Sequence, residues 1–404
     1  MDIHRYFRGD WRTPEVFMIV MAVAMPLSFS TWMALINNFA FERAENFTHV
    51  EMGFLQSLRE IPGFMAFAVV FVLLLMREQT LALISLLFLG IGTAVTGMLP
   101  SIIGLYATTV LMSIGFHYYE TVRQSLALQW IGKKEAPHFL GQLIAVGSFA
   151  GIAVFALIWL ALAIFKFDMV WVFVLGGGMT VVVVLFCLIA FPHFPEKVEQ
   201  HKKIYMRKRY WLYYLITFMA GARRQIFVVF SIILLVQKFG IEVESMPLLF
   251  LANGILTMYL APKIGKLIAH WGERRALSFE YIGLIGVFVA YAFVETAWIA
   301  IALYIIDHLF FSMAIAIKTY FQKIADPADM ASQAGVAFSI NHVAAVVIPA
   351  TFVFLWTISP TIVFLAGAGM SACSLVLVRL IPNNPTFDNV ALIGPYKMET
   401  SPAE

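Results

Sequence analysis

The sequence is dominated by apolar runs of about 20 residues, the length that a helix needs to cross the hydrocarbon core of a membrane. Hydrophobic residues make up 61% of the 404 residues and charged residues 13%, so a soluble protein with a polar surface is excluded. These runs predict an all-α integral membrane protein with twelve transmembrane helices. The expected spans are 14–37, 53–76, 80–99, 102–131, 138–165, 168–191, 210–237, 246–269, 275–294, 297–323, 331–356 and 359–381.

One long polar stretch, residues 192–211, separates the sixth span from the seventh and divides the chain into two equal halves. We therefore predict two six-helix bundles, an N-terminal one over 1–191 and a C-terminal one over 210–381. A basic cytoplasmic linker, 192–209, joins them. The residues after the last span, 382–404, form a short cytoplasmic tail.

The positions of lysine and arginine predict the orientation. With the N-terminus in the cytoplasm, nineteen of the 27 basic residues fall in cytoplasmic segments. Three fall in external loops, namely Arg43, Lys166 and Lys238, and five fall within helices. This bias obeys the positive-inside rule and places both termini in the cytoplasm. Short loops and tails are typical of a protein of the bacterial inner membrane.

The two halves show weak internal similarity at an offset near 194 residues. A shift of 194 aligns residues 51–63 with 245–257, and a shift of 193 places Gln129 on Gln322. The first alignment relates the second span to the eighth, and the other relates the fourth to the tenth. Two parallel repeats about a pseudo-twofold axis along the membrane normal suit a transporter that works by alternating access.

A short motif follows the eighth span, where the sequence reads GKLIAHWGERR at 265–275. Gly265, Gly272 and Arg274 match the G-x-x-x-D-R-x-G-R-R signature of the major facilitator superfamily, which the chain resembles along its whole length. The resemblance implies a fold of twelve helices and a central cavity lined by spans 1, 4, 7 and 10. It also implies that these three residues take part in gating.

The motif departs from the family pattern at two positions. Ala269 replaces the acidic residue, and His270 replaces the first basic one. The copy expected between the second and third spans is reduced to MREQT at 76–80. In the family this set helps to lock the outward-facing state, so the lock of this chain is expected to differ or to be weaker.

Charged residues lie within the spans, where each costs about 2.5–3.5 kcal/mol at the centre of a helix. Such residues face a cavity or pair with one another. Arg223 and Arg224 stand side by side in the middle of the seventh span. The basic residues inside spans are Arg59, Arg123, Arg223, Arg224 and Lys318, and the acidic ones are Glu60, Glu120, Glu280 and Asp307.

Helical geometry separates the two adjacent arginines. Arg224 shares a polar or small stripe with Tyr213 and Thr217, and we expect this stripe to contact substrate. Arg223 shares its side with apolar residues and is expected to be a second contact or a support paired with a carboxylate. The alternative for both arginines is a buried ion pair that fixes helix packing.

The chemistry of these side chains predicts an anion site. Arginine stays charged and offers a planar fork that suits carboxylate, sulfonate or phosphate, so Arg224 with Arg123 or Lys318 would bind an anion. A permanent Glu120–Arg123 pair is the alternative to a role in proton coupling. The candidates for proton coupling are Glu120, Asp307, His308 and His342, and the candidates for an external gate are Arg59 and Glu60.

The sequence thus predicts a secondary transporter of a small organic anion, coupled to protons or sodium and acting as a monomer in the lipid bilayer. It contains no P-loop and no zinc or haem spacing, so we expect no enzyme activity, no cofactor, no metal and no nucleic acid. Two alternatives stay open. One is an exporter of amphipathic compounds, such as drugs or an anionic lysolipid, and the other is a transport-inactive scaffold or sensor.

Overall fold

The structure is a computed structural model that describes residues 6–7, 9–195, 198–201, 203, 206–241 and 246–394. Parts of both predicted bundles, of the linker and of the tail therefore lie outside the described residues. Every regular element among the described residues is helical.

Twelve helices of the described chain are long and apolar enough to cross a membrane, which confirms the predicted fold class. We call them spans 1 to 12 in chain order. They are Pro14–Arg43, Val50–Val72, Glu78–Thr96, Ile102–Trp130, Ala136–Ile164, Met169–Ala190, Lys208–Gln237, Leu248–Trp271, Glu273–Ala292, Ala297–Ile324, Pro327–Ile358 and Pro360–Arg379.

Local sequence sets several helix starts. The side chains of Thr13, Ser101 and Asp168 each accept a hydrogen bond from a backbone N–H of the first turn that follows, and this satisfies a donor that a helix leaves free. The bond from the Val170 N–H lowers the pKa of Asp168, with a further contribution from Arg43. The starts of spans 1, 4 and 6 are therefore specified where the chain changes from polar to apolar.

Two spans change helix type near their middle. Span 2 has a 3-10 segment at Met65–Ala68, and span 10 has one at Phe311–Ala314. The first segment meets span 11, where the Phe67 N–H donates to Ser339 Oγ at 3.0 Å. Short 3-10 segments inside longer helices often mark hinges, and the first segment lies at the boundary between the two halves.

Glycines allow close contact between the halves at two related places. A Cβ on Gly141 of span 5 would overlap the Ala261 carbonyl of span 8. A Cβ on Gly335 of span 11 would lie 3.0 Å from the Ala66 carbonyl of span 2. Positions 141 and 335 are 194 apart and positions 66 and 261 are 195 apart. The packing thus repeats with the offset seen in the sequence, as expected for a pseudo-twofold axis.

The halves are joined at the side of the bundle that carries the linker, which we call the linker side. Gln322, near the end of span 10, donates to the Leu128 and Ile131 carbonyls at 2.7 and 2.8 Å. Lys133 Nζ donates to the Lys323 carbonyl at 3.3 Å. These bonds tie the ends of spans 4 and 10 together and close the linker side in this state.

The linker is anchored to the C-terminal half by a buried carboxylate, Asp329. Its Oδ1 lies 2.8 Å from His201 Nδ1, and its Oδ2 lies 2.8 Å from Arg207 Nε. Tyr210 donates its hydroxyl to the same Oδ2 at 2.6 Å. The chain that connects the halves is therefore held against the start of span 11.

Candidate functional site

A cavity of about 570 Å³ lies between the two halves, within the range of pockets that hold small organic molecules. Spans 1, 2, 4, 5, 7, 9, 10 and 11 contribute side chains to it. The four spans expected to line a central cavity are among them. Aromatic rings form part of its wall, where Phe29 and Phe116 stack with centroids 4.1 Å apart.

Arg224 presents an exposed side chain to this cavity. Its guanidinium carbon lies 5.0 Å from the centre of the Phe311 ring, a distance at which a cation is attracted to an aromatic face. Within the described part of the chain we find no hydrogen bond and no ion pair for Arg224. Its charge is therefore available to a ligand.

Arg223, the neighbouring residue, lies in a different environment. Its side chain is 3% exposed and pairs with Glu280 of span 9, which is 2% exposed, at an Nη2–Oε1 distance of 3.0 Å. Its guanidinium carbon also lies 5.2 Å from the centre of the Tyr281 ring. Arg223 thus connects spans 7 and 9, and a substrate would reach Arg224 more readily than Arg223.

Lys318 is the second cation of the cavity that has no carboxylate partner among the described residues. Its side chain is half-buried and comes from span 10, one turn after the 3-10 segment, towards the linker side. Arg123 differs, because it binds both oxygens of Glu120, at 3.0 Å from Nε and 2.6 Å from Nη2. Glu120 lines the central cavity, whereas Arg123 lines a neighbouring cavity between spans 1, 4 and 5.

The charges of the cavity wall are unequal. Its acidic side chains, Glu60, Glu120 and Glu280, are each paired with an arginine. Arg224 and Lys318 are left without such a partner in the described chain. The wall therefore carries an excess of positive charge that an anionic ligand would offset.

Asp307 and His308 of span 10 lie behind the cavity wall rather than on it. Asp307 is 1% exposed, and neither of its carboxyl oxygens has a hydrogen-bond partner among the described residues. The charges that act on it are those of Arg223, Arg224 and Glu280. His308 Nδ1 lies 3.0 Å from the Tyr304 carbonyl, which fixes the orientation of its ring.

Tyr213 and Thr217 line the linker-side end of the cavity. The Tyr213 ring is buried and stacks on Phe321 with centroids 4.4 Å apart. The Thr217 hydroxyl is buried one helical turn after Tyr213. These residues share the face of span 7 that leads to Arg224, so the predicted stripe does border the cavity.

Arg59 and Glu60, the two residues predicted for an external gate, line the cavity. Arg59 binds Glu60 Oε1 through Nη2 at 2.6 Å, and Glu60 Oε2 lies 3.8 Å from Nε2 of His342. Because Glu60 belongs to span 2 and His342 to span 11, this contact crosses between the halves. His117 of span 4 completes the group.

The glycines of the 265–275 motif have two different roles in the structure. Gly265 packs against the Pro137 carbonyl of span 5, where a Cβ would overlap it. Gly272 has a φ of 79° and forms the turn between spans 8 and 9. Arg274 Nη1 donates to Asn383 Oδ1 at 3.3 Å, so this arginine contacts the start of the tail.

Sequence reasoning missed two features of this site. The partner of Arg223 is Glu280, which lies 57 positions away on another span. The group formed by Glu60, His117 and His342 also comes from three separate spans. Neither feature has a local spacing signal, because the residues meet only through packing of the bundle.

Comparison with known proteins gives the same fold. Residues 15–349 match the sequence model of the Major Facilitator Superfamily. The structure of a bacterial homologue of the iron transporter ferroportin, in an outward-facing state, is similar to this chain with a TM-score of 0.74 and 14% sequence identity. The alignment covers 91% of this chain and 98% of the homologue. No curated protein matches the sequence.

Two further structures are similar over most of their length. A variant of the Escherichia coli fucose:proton symporter has a TM-score of 0.72 and 13% identity, and covers 91% of this chain and 98% of its own. The human organic anion transporter TETRAN has a TM-score of 0.70 and 12% identity, and covers 92% of this chain and all of its own. At these identities the likeness shows the fold alone.

Proposed function

The chain belongs to the major facilitator superfamily, and on that premise we propose that it is a secondary transporter that moves a small organic anion by alternating access. Its family makes it a multi-pass membrane transporter of small molecules rather than an enzyme. The observation that carries the choice of substrate is Arg224, which is exposed in the central cavity and has no ion-pair partner among the described residues.

An anion would satisfy the chemistry that Arg224 leaves open. Arginine stays charged, and a carboxylate or phosphate can accept two parallel hydrogen bonds from its guanidinium. Lys318 lines the same cavity and would add a second, more mobile donor. The Phe311 ring beneath Arg224 and the Thr217 hydroxyl would then orient the rest of the substrate.

The cavity volume limits the size of the substrate. About 570 Å³ is accessible between the halves, which accommodates a small metabolite together with water. The aromatic wall formed by Phe29 and Phe116 favours an organic anion with an apolar portion over an inorganic ion.

Proton coupling is supported by the position of Asp307. Its carboxyl is buried without a hydrogen-bond partner in the described chain, and the charges of Arg223 and, less strongly, Arg224 act on it. Binding of an anion to Arg224 would remove part of that positive field and favour protonation of Asp307. Glu120 is the weaker candidate, because Arg123 holds both of its oxygens.

The aromatic lining favours one alternative, an exporter of amphipathic compounds, in which Arg224 would contact an anionic headgroup. A transport-inactive scaffold is less well supported, because polar side chains of spans 4, 7 and 10 line a cavity instead of packing against one another. The bacterial inner membrane, cytoplasmic termini and a monomeric state complete the proposal.

Thermal stabilisation by ligands tests the proposed substrate class. The purified protein is heated with a panel of organic anions, organic cations and neutral amphiphiles, in parallel with Arg224→Ala. The control variant is Arg43→Ala, since Arg43 is an arginine outside the cavity that pairs with Asp168.

We expect an organic anion to raise the melting temperature of the wild type and of Arg43→Ala but not of Arg224→Ala. If no anion stabilises any of the three proteins, while cations or neutral amphiphiles stabilise all three equally, the anion transporter proposal is wrong. In that case the exporter takes its place.

A further inference from the structure

Two histidines and a glutamate from three spans meet at the edge of the central cavity. Glu60 lies on span 2, His117 on span 4 and His342 on span 11, and their candidate ligand atoms all lie within 4.8 Å of one another. The two imidazole rings have centroids 5.0 Å apart and are inclined at 78°. We propose that these three side chains bind a divalent transition-metal ion.

The separation of the ligand atoms suits this proposal. Zn²⁺ binds imidazole nitrogen and carboxylate oxygen at about 2.0–2.2 Å, so the ligands of a tetrahedral site lie about 3.4 Å apart. Glu60 Oε2 and His342 Nε2 are 3.8 Å apart, and the three ligand atoms all lie within 4.8 Å of one another. Side-chain rotation about the metal would have to supply the remaining contraction.

Both histidines present the nitrogen that a metal needs. His117 Nδ1 lies 2.9 Å from the Ser113 carbonyl, and His342 Nδ1 lies 3.0 Å from the Phe338 carbonyl. A carbonyl only accepts, so each Nδ1 carries the proton and each Nε2 keeps its lone pair. Histidines that bind metals show this arrangement, in which the second nitrogen donates to a backbone carbonyl or carboxylate.

The carboxylate is also held in a fixed orientation. Arg59 donates to Glu60 Oε1 from Nε at 3.1 Å and from Nη2 at 2.6 Å. The Arg59 carbonyl in turn accepts the Ser113 hydroxyl, which belongs to the same turn as His117. Arg59 thus leaves Glu60 Oε2 facing His342, and one connected network supports ligands from spans 2 and 4.

Gly63 provides the space in which the two imidazoles meet. It lies one turn after Glu60 on span 2, and a Cβ there would overlap Nε2 of His342 and come within 2.7 Å of His117 Cδ2. The absence of a side chain at this position is therefore required by the cluster itself. This observation is independent of the hydrogen bonds that orient the ligands.

The ligand types select the class of metal. Two imidazoles and one carboxylate suit zinc, iron(II), nickel or copper, whereas calcium and magnesium prefer oxygen ligands alone. Three protein ligands leave a coordination position open. Since the cluster lines the central cavity, a water or an anionic group from the cavity would complete the coordination.

The site would also join the two halves of the transporter. Glu60 and His117 belong to the N-terminal half and His342 to the C-terminal half, so a bound ion would stabilise the state in which the linker side is closed. The inference does not depend on which anion is transported, because the ion and Arg224 use different side chains.

Binding of Co²⁺ and Zn²⁺ to the purified full chain tests the site. The protein is prepared with an affinity tag that contains no histidine, and titration is followed by calorimetry and by the visible absorption of bound Co²⁺. His342→Ala and Glu60→Gln remove one ligand each. His308→Ala is the control, because His308 has the same Nδ1–carbonyl bond but lies outside the cluster.

We expect about one equivalent of metal in the wild type and in His308→Ala, with Co²⁺ absorption of the intensity typical of four-coordinate sites. Loss of a ligand should weaken binding by about 100-fold or more, since loss of a mere supporting partner costs 10–100-fold. Melting curves without metal establish that each variant is folded.

Gly63→Ala provides a second variant that keeps all three ligands and fills the space between the imidazoles. It should weaken metal binding as well. The proposal is overturned if the wild type binds no metal, or if folded wild type, His342→Ala and Glu60→Gln bind it equally. Stabilisation by organic anions that persists alongside such a result would leave the transport proposal standing.

Discussion

Replacement of the two adjacent arginines by methionine, one at a time, should give opposite results. Arg223→Met leaves Glu280 buried and unpaired in the interior of the C-terminal half, whereas Arg224→Met removes a charge that has no partner in the described chain. The first variant should lose stability and the second should lose ligand binding.

The size of the first effect follows from the geometry of the Arg223–Glu280 pair. The charged atoms are 3.0 Å apart, which corresponds to an attraction of about 5.5 kcal/mol at an effective dielectric constant of 20. Removal of one partner from a buried pair costs about 3–5 kcal/mol. Replacement of both partners by apolar residues is often close to neutral, so Arg223→Met combined with Glu280→Leu should recover most of the loss.

Thermal unfolding in detergent, followed by intrinsic fluorescence, measures this difference. At about 2 °C per kcal/mol, the lower end of the range for large domains, the Arg223→Met variant should melt roughly 6–10 °C below the wild type. The double variant should lose less than half of that, and Arg224→Met should melt within about 2 °C of the wild type. Equal melting temperatures for Arg223→Met and Arg224→Met would refute the assignment of different roles.

Three further predictions concern coupling, conformational change and stability. Asp307→Asn should abolish uptake driven by a proton gradient while preserving counterflow exchange in liposomes, and equal loss of both activities would contradict a coupling role. Gly141→Val should force spans 5 and 8 apart and raise the labelling of a cysteine introduced on the linker side, whereas Gly147→Val, with 3.8 Å to the nearest atom, should not. Gly272→Ala should destabilise the protein by about 1–3 kcal/mol because its backbone conformation suits only glycine. Gly286→Ala, which meets no atom within 4 Å, is the control for that thermal measurement.

The number of spans could be predicted from the sequence because the apolar runs match the thickness of a membrane. Helix ends were less accurate. The apolar run predicts span 1 over 14–37, because Asn37 and Asn38 interrupt it. The helix continues to Arg43, because Phe39 and Ala40 beyond the asparagines are buried. Burial of the residues that follow decided the end of this helix.

The central cavity was predictable in part. The helical stripe of Arg224 and the pairing of Glu120 with Arg123 depend on positions three or four apart along one helix, which a sequence displays directly. The partner of Arg223 cannot be found in this way, because Glu280 lies on another span, 57 positions away. The same holds for His117 and His342, which come from spans 4 and 11 and contribute to one cluster only after both halves have packed.

Uptake by reconstituted liposomes tests the central claim most directly. A radiolabelled organic anion that stabilises the purified wild type is offered to liposomes that contain wild type or Arg224→Gln, matched for protein content. Loss of a charge-assisted, two-pronged contact should lower uptake at low substrate concentration by about 100-fold. Uptake by Arg224→Gln at the wild-type rate and with the wild-type affinity would contradict the assignment of Arg224 as the anion-binding residue.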